Sequence, residues 1–154
     1  MRSTLLALSL GLSVLPACAD DGGGTNDIKV NCDLETRDDD WVIGLTKPGS
    51  EGVLSFEVVD TTIPAVYDNR WVIQVNQTAG TAAPVENATL DITSHMPDHG
   101  HNSPIPPDVT AMPTAGQYEL SPIYLPMPGL WEVTIQATAQ TASDAVVFRV
   151  CIPN

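Results

Sequence analysis

Residues 130–138, LWEVTIQAT, are apolar at every second position: Trp131, Val133, Ile135 and Ala137 alternate with Glu132, Thr134 and Gln136. Successive side chains of an extended backbone point to opposite faces, so a period of two marks a strand with one face on a core and the other in water. Working outward, the same period recurs. Residues 52–58 (GVLSFEV) place Leu54, Phe56 and Val58 on one face, and residues 70–76 (RWVIQVN) do so with Trp71, Ile73 and Val75. Residues 87–93 (NATLDIT) repeat it with Ala88, Leu90 and Ile92, while residues 144–152 (DAVVFRVCI) form a more continuously apolar run. Residues 40–45 and 117–120 add two shorter strand candidates. Turn-forming residues separate these runs, and no stretch sustains apolar residues at i, i+3, i+4 and i+7 over three turns. The 13 prolines agree, being excluded from helix interiors and central strands. About seven short antiparallel strands predict an all-β, immunoglobulin-like sandwich, with a small closed barrel as the alternative.

The domain is expected over residues 32–154, preceded by two segments of different character. Residues 1–17 carry a positive charge at Arg2, continue through an apolar stretch at 5–14 and end in Leu15-Pro16-Ala17, followed by Cys18. An apolar run this short does not span a bilayer, which needs roughly 20 residues, so it reads as a cleaved export signal. The stretch resembles the lipobox of bacterial lipoproteins, which implies that Cys18 is lipidated and becomes the mature N-terminus. Residues 19–27 (ADDGGGTND) hold no large apolar side chain, so residues 18–31 are expected to be a lipidated cysteine and a flexible acidic tether. By the same resemblance, Ala19 after the cysteine implies the outer membrane.

Removing Arg2 with residues 1–17 takes the formal net charge from −13 to −14. Such a field repels nucleic acid and anionic lipid and attracts cations, although acidity also serves simply to keep an exported domain soluble. With Cys18 committed to lipid, Cys32 and Cys151 remain. In an oxidising compartment the two are expected to pair, closing a loop worth up to roughly 4–5 kcal/mol in the chain-entropy picture. The competing role, a thiolate metal ligand, has no second Cys or His near either residue in sequence.

The chemistry-bearing segment is His95-Met96-Pro97-Asp98-His99-Gly100-His101, which contains all 3 histidines. Pro97 and Gly100 oppose a helix, so the segment reads as a loop following a strand and opening a proline-rich connection. A loop can wrap an ion: imidazole suits copper and zinc, thioether sulfur selects Cu(I), and Asp98 offers an oxygen. The candidate ligands are therefore His95, His99 and His101, with Met96, Met112 and Met127 supplementary, and copper is preferred to zinc because of the methionines. Against this stand a plain solvated loop and methionines that only fill the core.

The stretch from His95 to Ala137 resembles the YtkA-like and FixH-like family. The resemblance is carried by Met96-Pro97, His99-Gly100-His101, Gly116-Gln117-Tyr118 and Met127-Pro128-Gly129-Leu130-Trp131. It implies an immunoglobulin-like sandwich in an exported or membrane-attached protein, often associated with copper handling or oxidase assembly. The residues themselves make Met127-Pro128-Gly129 a turn, in which Pro fixes one φ and Gly permits a positive one, and make Trp131 a core anchor.

Two functions follow. One is an envelope lipoprotein that binds copper for buffering or for transfer to a periplasmic partner. The other is a non-metal module that presents its loops to another envelope protein. An enzyme is not expected, since no nucleophile stands at a recognisable spacing from a base and no phosphate-binding loop is present. Replacing Cys18 with Ser should release the protein from the membrane fraction while the domain still folds, because the tether separates lipid from core. Fractionation with lipid labelling checks this, and a lipid-labelled, membrane-bound Cys18→Ser protein would refute the lipobox reading.

Overall fold

A computed structural model describes residues 29–140 and 142–154; the expected export signal, Cys18 and most of the expected tether lie outside the described residues. Nine strands are present among them: β1 (Thr46–Pro48), β2 (Leu54–Thr61), β3 (Tyr67–Gln77), β4 (Thr89–Met96), β5 (His101–Asn102), β6 (Asp108–Ala111), β7 (Gln117–Leu125), β8 (Gly129–Thr138) and β9 (Ser143–Ile152). They form two antiparallel sheets, in the order β1-β2-β3-β7-β6 and β5-β4-β8-β9. The architecture is the immunoglobulin-like sandwich that the period of two predicts.

The inward positions of each strand meet in one core. Leu54, Phe56 and Val58 of β2 and Trp71, Ile73 and Val75 of β3 face Trp131, Val133 and Ile135 of β8 and Val146, Phe148 and Val150 of β9. All of these are buried, and they carry most of the hydrophobic stabilisation. The apolar run of β9 resolves into ordinary alternation, with Val146, Phe148, Val150 and Ile152 inside.

Three expectations need correction. Residues 40–45 form no strand; the first strand is β1, at Thr46–Pro48. The count rises from about seven to nine because β1, β5 and β6 are edge pieces of two to four residues, too short to show a period. Proline also enters an interior strand, at Pro122 of β7. It does so where β6 has not yet begun, since Asp108 opposes Ser121, and where β7 bulges against β3 between Asn69 and Trp71. A missing N–H there breaks no ladder.

Residues 39–50, which include β1, perform an edge strand's task for β9 with a mixture of side-chain and isolated backbone bonds. Asp39 N–H donates to the Arg149 carbonyl (2.9 Å), and its carboxylate accepts from the Arg149 N–H (2.7 Å). Lys47 Nζ binds the Asp39 carboxylate and the Val147 carbonyl (2.7 Å), and Ser50 N–H donates to Ala145 (2.8 Å). The outer edge of β9 is thereby occupied, which removes a site for edge-to-edge association. Trp41 closes the gap between the sheets on this side, its ring 4.1 Å from Trp71 and 5.7 Å from Phe148.

Two fasteners mark the ends of β9. At its far end Cys151 is disulfide-bonded to Cys32, 119 residues away, as expected of the pair. At its start lies Asp144, only 2% exposed. Its carboxylate accepts from the N–H groups of Glu51 (2.8 Å), Val53 (2.9 Å) and Leu54 (3.0 Å), and from its own neighbour Ala145 (2.9 Å). Burial pushes its pKa up, but these four donors together outweigh burial and leave it below the usual carboxylate value.

A group whose folded pKa is depressed stabilises fully above its unfolded pKa, about 3.9 for Asp, and loses that contribution as pH falls through the folded value. Replacing Asp144 with Asn should cost about 3 kcal/mol at pH 7, since one charged acceptor of several buried N–H groups is lost. The variant should also lose stability more gently than wild type below pH 4. Urea unfolding at a series of pH values measures both, and parallel pH profiles would show that Asp144 is not the fastener described.

Candidate functional site

The histidine segment is a tight β-hairpin. Strand β4 runs through His95 and Met96, the turn is Pro97 to Gly100, and β5 begins at His101. The Met96 carbonyl accepts from the N–H groups of both His99 (3.2 Å) and Gly100 (2.8 Å), closing the turn. Register pairs His95 with Asn102 and Met96 with His101. Directly opposed residues share a face, so His95 and His101 stand on opposite faces of the sheet. His95 Nδ1 lies 2.8 Å from Asn102 Oδ1 on the outer face. The ring of His101 is on the inner side, edge-on to Trp131 (centroids 5.7 Å) and to His99 (5.9 Å).

The expected ligand set therefore divides. His99 and His101 are brought together, whereas His95 is turned away by the pleat. Asp98 is engaged elsewhere: Arg37 donates from both terminal nitrogens to its two oxygens (2.7 and 2.8 Å) and also binds Glu35. These bonds to Arg37 hold the Asp98 carboxyl below its ordinary value and take Glu35 down to about 2. Among the described residues no three His, Cys, Asp or Glu side chains are gathered as a metal-holding group.

The methionines divide too. Met96 is a core residue, 2% exposed, with its terminal methyl against Gly129. Met127 packs partly buried against the core at the same end, its carbonyl accepting from Trp131 Nε1 (2.9 Å). Met112 sits at the other end of the sandwich, in a groove with Glu86 and Asn87. The eight residues of β4 separate it from the hairpin by roughly 25 Å at about 3.3 Å per residue. It leaves the candidate set for that reason.

The brace of the hairpin is not legible in the sequence: nothing there singles out Arg37, and Asp98 reads as an oxygen donor to an ion. Arg37 and Asp98 are 61 residues apart, in segments without a shared pattern. Asn102, beside the histidines, is the only one with a local signal, as a short amide opposite His95 in a two-stranded turn.

The YtkA-like family model matches residues 50–136, from the turn before β2 to most of β8. The chain belongs to the YtkA-like family. The match carries the YtkA-like half of the resemblance seen in the motifs, and Cys32, Arg37 and β9 lie outside it. No curated protein and no solved structure matches the chain.

In this YtkA-like domain two of the shared motifs hold the sandwich together. Gly116 takes φ 75°, and a Cβ there would collide with Gln74, Pro84 and the Val75 carbonyl. Two residues on, the Tyr118 hydroxyl donates to Val85 O (2.7 Å) and accepts from Ala88 N–H (2.9 Å), pinning the chain as it crosses from β3 to β4. Gly129 takes φ 129°, and a Cβ there would strike the Met96 methyl. Trp131 then enters the core. Met-Pro-Gly-x-Trp is thus the turn and anchor the sequence predicted, and Met96 fills the space that the glycine leaves.

Arg37 is half exposed, so its ion pairs are screened and contribute little to global stability. Replacing Arg37 with Ala should leave the unfolding midpoint nearly unchanged while amide exchange at His99 and Gly100 accelerates. Hydrogen-exchange NMR tests this; unchanged protection at both amides would show that the hairpin tip needs no brace.

Proposed function

We propose that this YtkA-like protein is a lipid-anchored component of the bacterial envelope that takes up a copper ion at the hairpin tip. His99 and His101 are the ligands, and the ion is buffered there or passed to an envelope partner. The observation that carries this reading is the separation of the two rings. Imidazoles bound to one ion at about 2 Å each have centroids no more than roughly 6.5 Å apart, and those of His99 and His101 are 5.9 Å apart.

Three features support the choice. The tip is an exposed turn on a rigid ladder, which positions ligands better than a free loop does. Met127, a soft donor that favours copper, is carried to the same end by the Trp131 bond. The formal charge of −13 draws cations to the surface. Two imidazoles leave coordination positions open, which suits an ion that must be released to a partner more than one held permanently. A lipid on Cys18 and the 18–31 tether would keep the domain near the membrane without fixing its orientation.

Copper titration by calorimetry should find about one ion per chain. Replacing His99 or His101 with Ala should each weaken binding by about tenfold or more, whereas His95→Ala and Met112→Leu should leave it within about twofold. Ligation requires neutral imidazole, so affinity should fall on acidification from about pH 7 to pH 5. Equal copper affinity in wild type and the His99/His101 double variant would overturn the reading.

A further inference from the structure

Strand β3 opens at Tyr67, directly opposite the buried Leu125 of β7. Pleating alone would put the Tyr67 ring on the inner face, as it does for the buried Asn69 two residues on. Instead Tyr67 takes φ 75°, in the left-handed region that bulky side chains rarely adopt, and is 58% exposed. Its ring lies 6.0 Å from that of Tyr124, which is on the outer face of β7.

This arrangement is braced from within. The Asn69 amide nitrogen lies within bonding distance of the carbonyls of Ala65 (2.8 Å), Tyr67 (3.0 Å) and Ile123 (3.3 Å), and its oxygen accepts from Ala65 N–H (2.9 Å). A buried amide thus holds the turn that keeps the aromatic ring out of the core. Strain maintained by its surroundings in this way points to a role for the exposed group.

The neighbourhood is apolar with an acidic border. Ile63, in the same turn, is 89% exposed, and Ile105 is 44% exposed. The loop of Ile105 is fixed beside Tyr124 by Ser103 Oγ, which donates to the Tyr124 carbonyl (2.6 Å). Asp68 is exposed and opposes Tyr124 in register, and the exposed Asp108 opposes Ser121. Arg37, Lys47, Arg70 and Arg149 are each paired with a carboxylate.

We propose that Ile63, Tyr67, Ile105 and Tyr124 form a docking surface for a partner protein that presents a cationic rim around an apolar socket. Rigid tyrosines that seat in desolvated pockets carry a large share of protein–protein binding energy. The border of Asp68 and Asp108 selects the sign of the rim. A second copy of the chain would set like charge against like at a formal −13 each, and nucleic acid or anionic lipid would be repelled in the same way. The surface stands apart from copper binding at the hairpin, and metal-free protein is the material for its test.

A photo-crosslinking residue is placed at Tyr67 of the full-length chain in cells, with exposed Ala79 at the other end of the sandwich as control. A single dominant adduct is expected from position 67 and not from 79. The crosslinked protein, identified by mass and purified, should bind the full-length metal-free chain. Its Kd should rise at least about tenfold with Tyr67→Gly, and should rise as well between about 0.05 and 0.5 M salt. The Tm of Tyr67→Gly should be unchanged or higher, because glycine adopts the left-handed conformation without strain. Equal adducts from both positions, no adduct, a lipid adduct or a covalent dimer of the chain would each overturn the proposal. So would a lowered Tm or unaltered affinity in Tyr67→Gly.

Discussion

One strand, β9, closes this sandwich, and the chain holds it by an edge that no other strand occupies. Asp144 receives the backbone of residues 51–54 at its start, Lys47 and Asp39 take the middle, and the Cys32–Cys151 disulfide seals its end. The chemical means differ along the way: a buried carboxylate on backbone donors, a lysine shared between a carboxylate and a carbonyl, and a covalent bond. The consequence is the same at each point. An edge that would otherwise offer free N–H and C=O groups to another chain is satisfied within the molecule. Trp41 adds the apolar counterpart, filling the space where the two sheets would otherwise part.

That closure reaches the hairpin. The same N-terminal segment that lies along β9 continues back through Arg37, whose guanidinium clasps Asp98 at the hairpin tip. A carboxylate that the sequence offers as a ligand is thereby consumed in positioning the turn. What the tip retains is a pair of neighbouring imidazoles, of which His101 lies edge-on to the buried Trp131. The family motifs around it have mostly structural tasks. Tyr118 pins a crossover, Gly116 and Gly129 permit close approach, and Met96 fills the space over Gly129. Chemistry and packing share one motif, in which Met96 belongs to the core and His99 and His101 to the surface.

The two ends of the sandwich differ in character. The hairpin end gathers His99, His101, Met127 and the apolar patch of Tyr67 and Ile105, while the other end carries polar grooves around Glu86 and Asn87. The proposed copper ligands and the proposed docking surface therefore lie towards one end, on separate groups of residues. The acidic surface suits each of them, by raising the local concentration of cations and by steering a cationic partner.

The period of two in LWEVTIQAT and its counterparts determined an all-β fold of half-buried strands, because a buried face leaves its mark at every second residue, and the pairing into two sheets decided for a sandwich over a barrel. The two cysteines left after Cys18, read with an expected oxidising compartment, likewise pointed to the disulfide. Short edge strands were illegible, since two to four residues carry no period, and so was the segment 37–50, where side chains and isolated backbone bonds replace a ladder along β9. The histidine cluster was legible as a cluster and not as a site. Proximity in sequence placed three imidazoles within seven residues, but the pleat sends His95 and His101 to opposite faces, and only strand register decides which face each residue takes. Arg37 was beyond the sequence, because Asp98 comes from a segment that only the fold brings near, and the buried Asn69 braces its own turn through Ala65 and Tyr67 while reaching across to Ile123. Local pattern fixes what a segment is; which groups meet across segments is decided by tertiary packing alone.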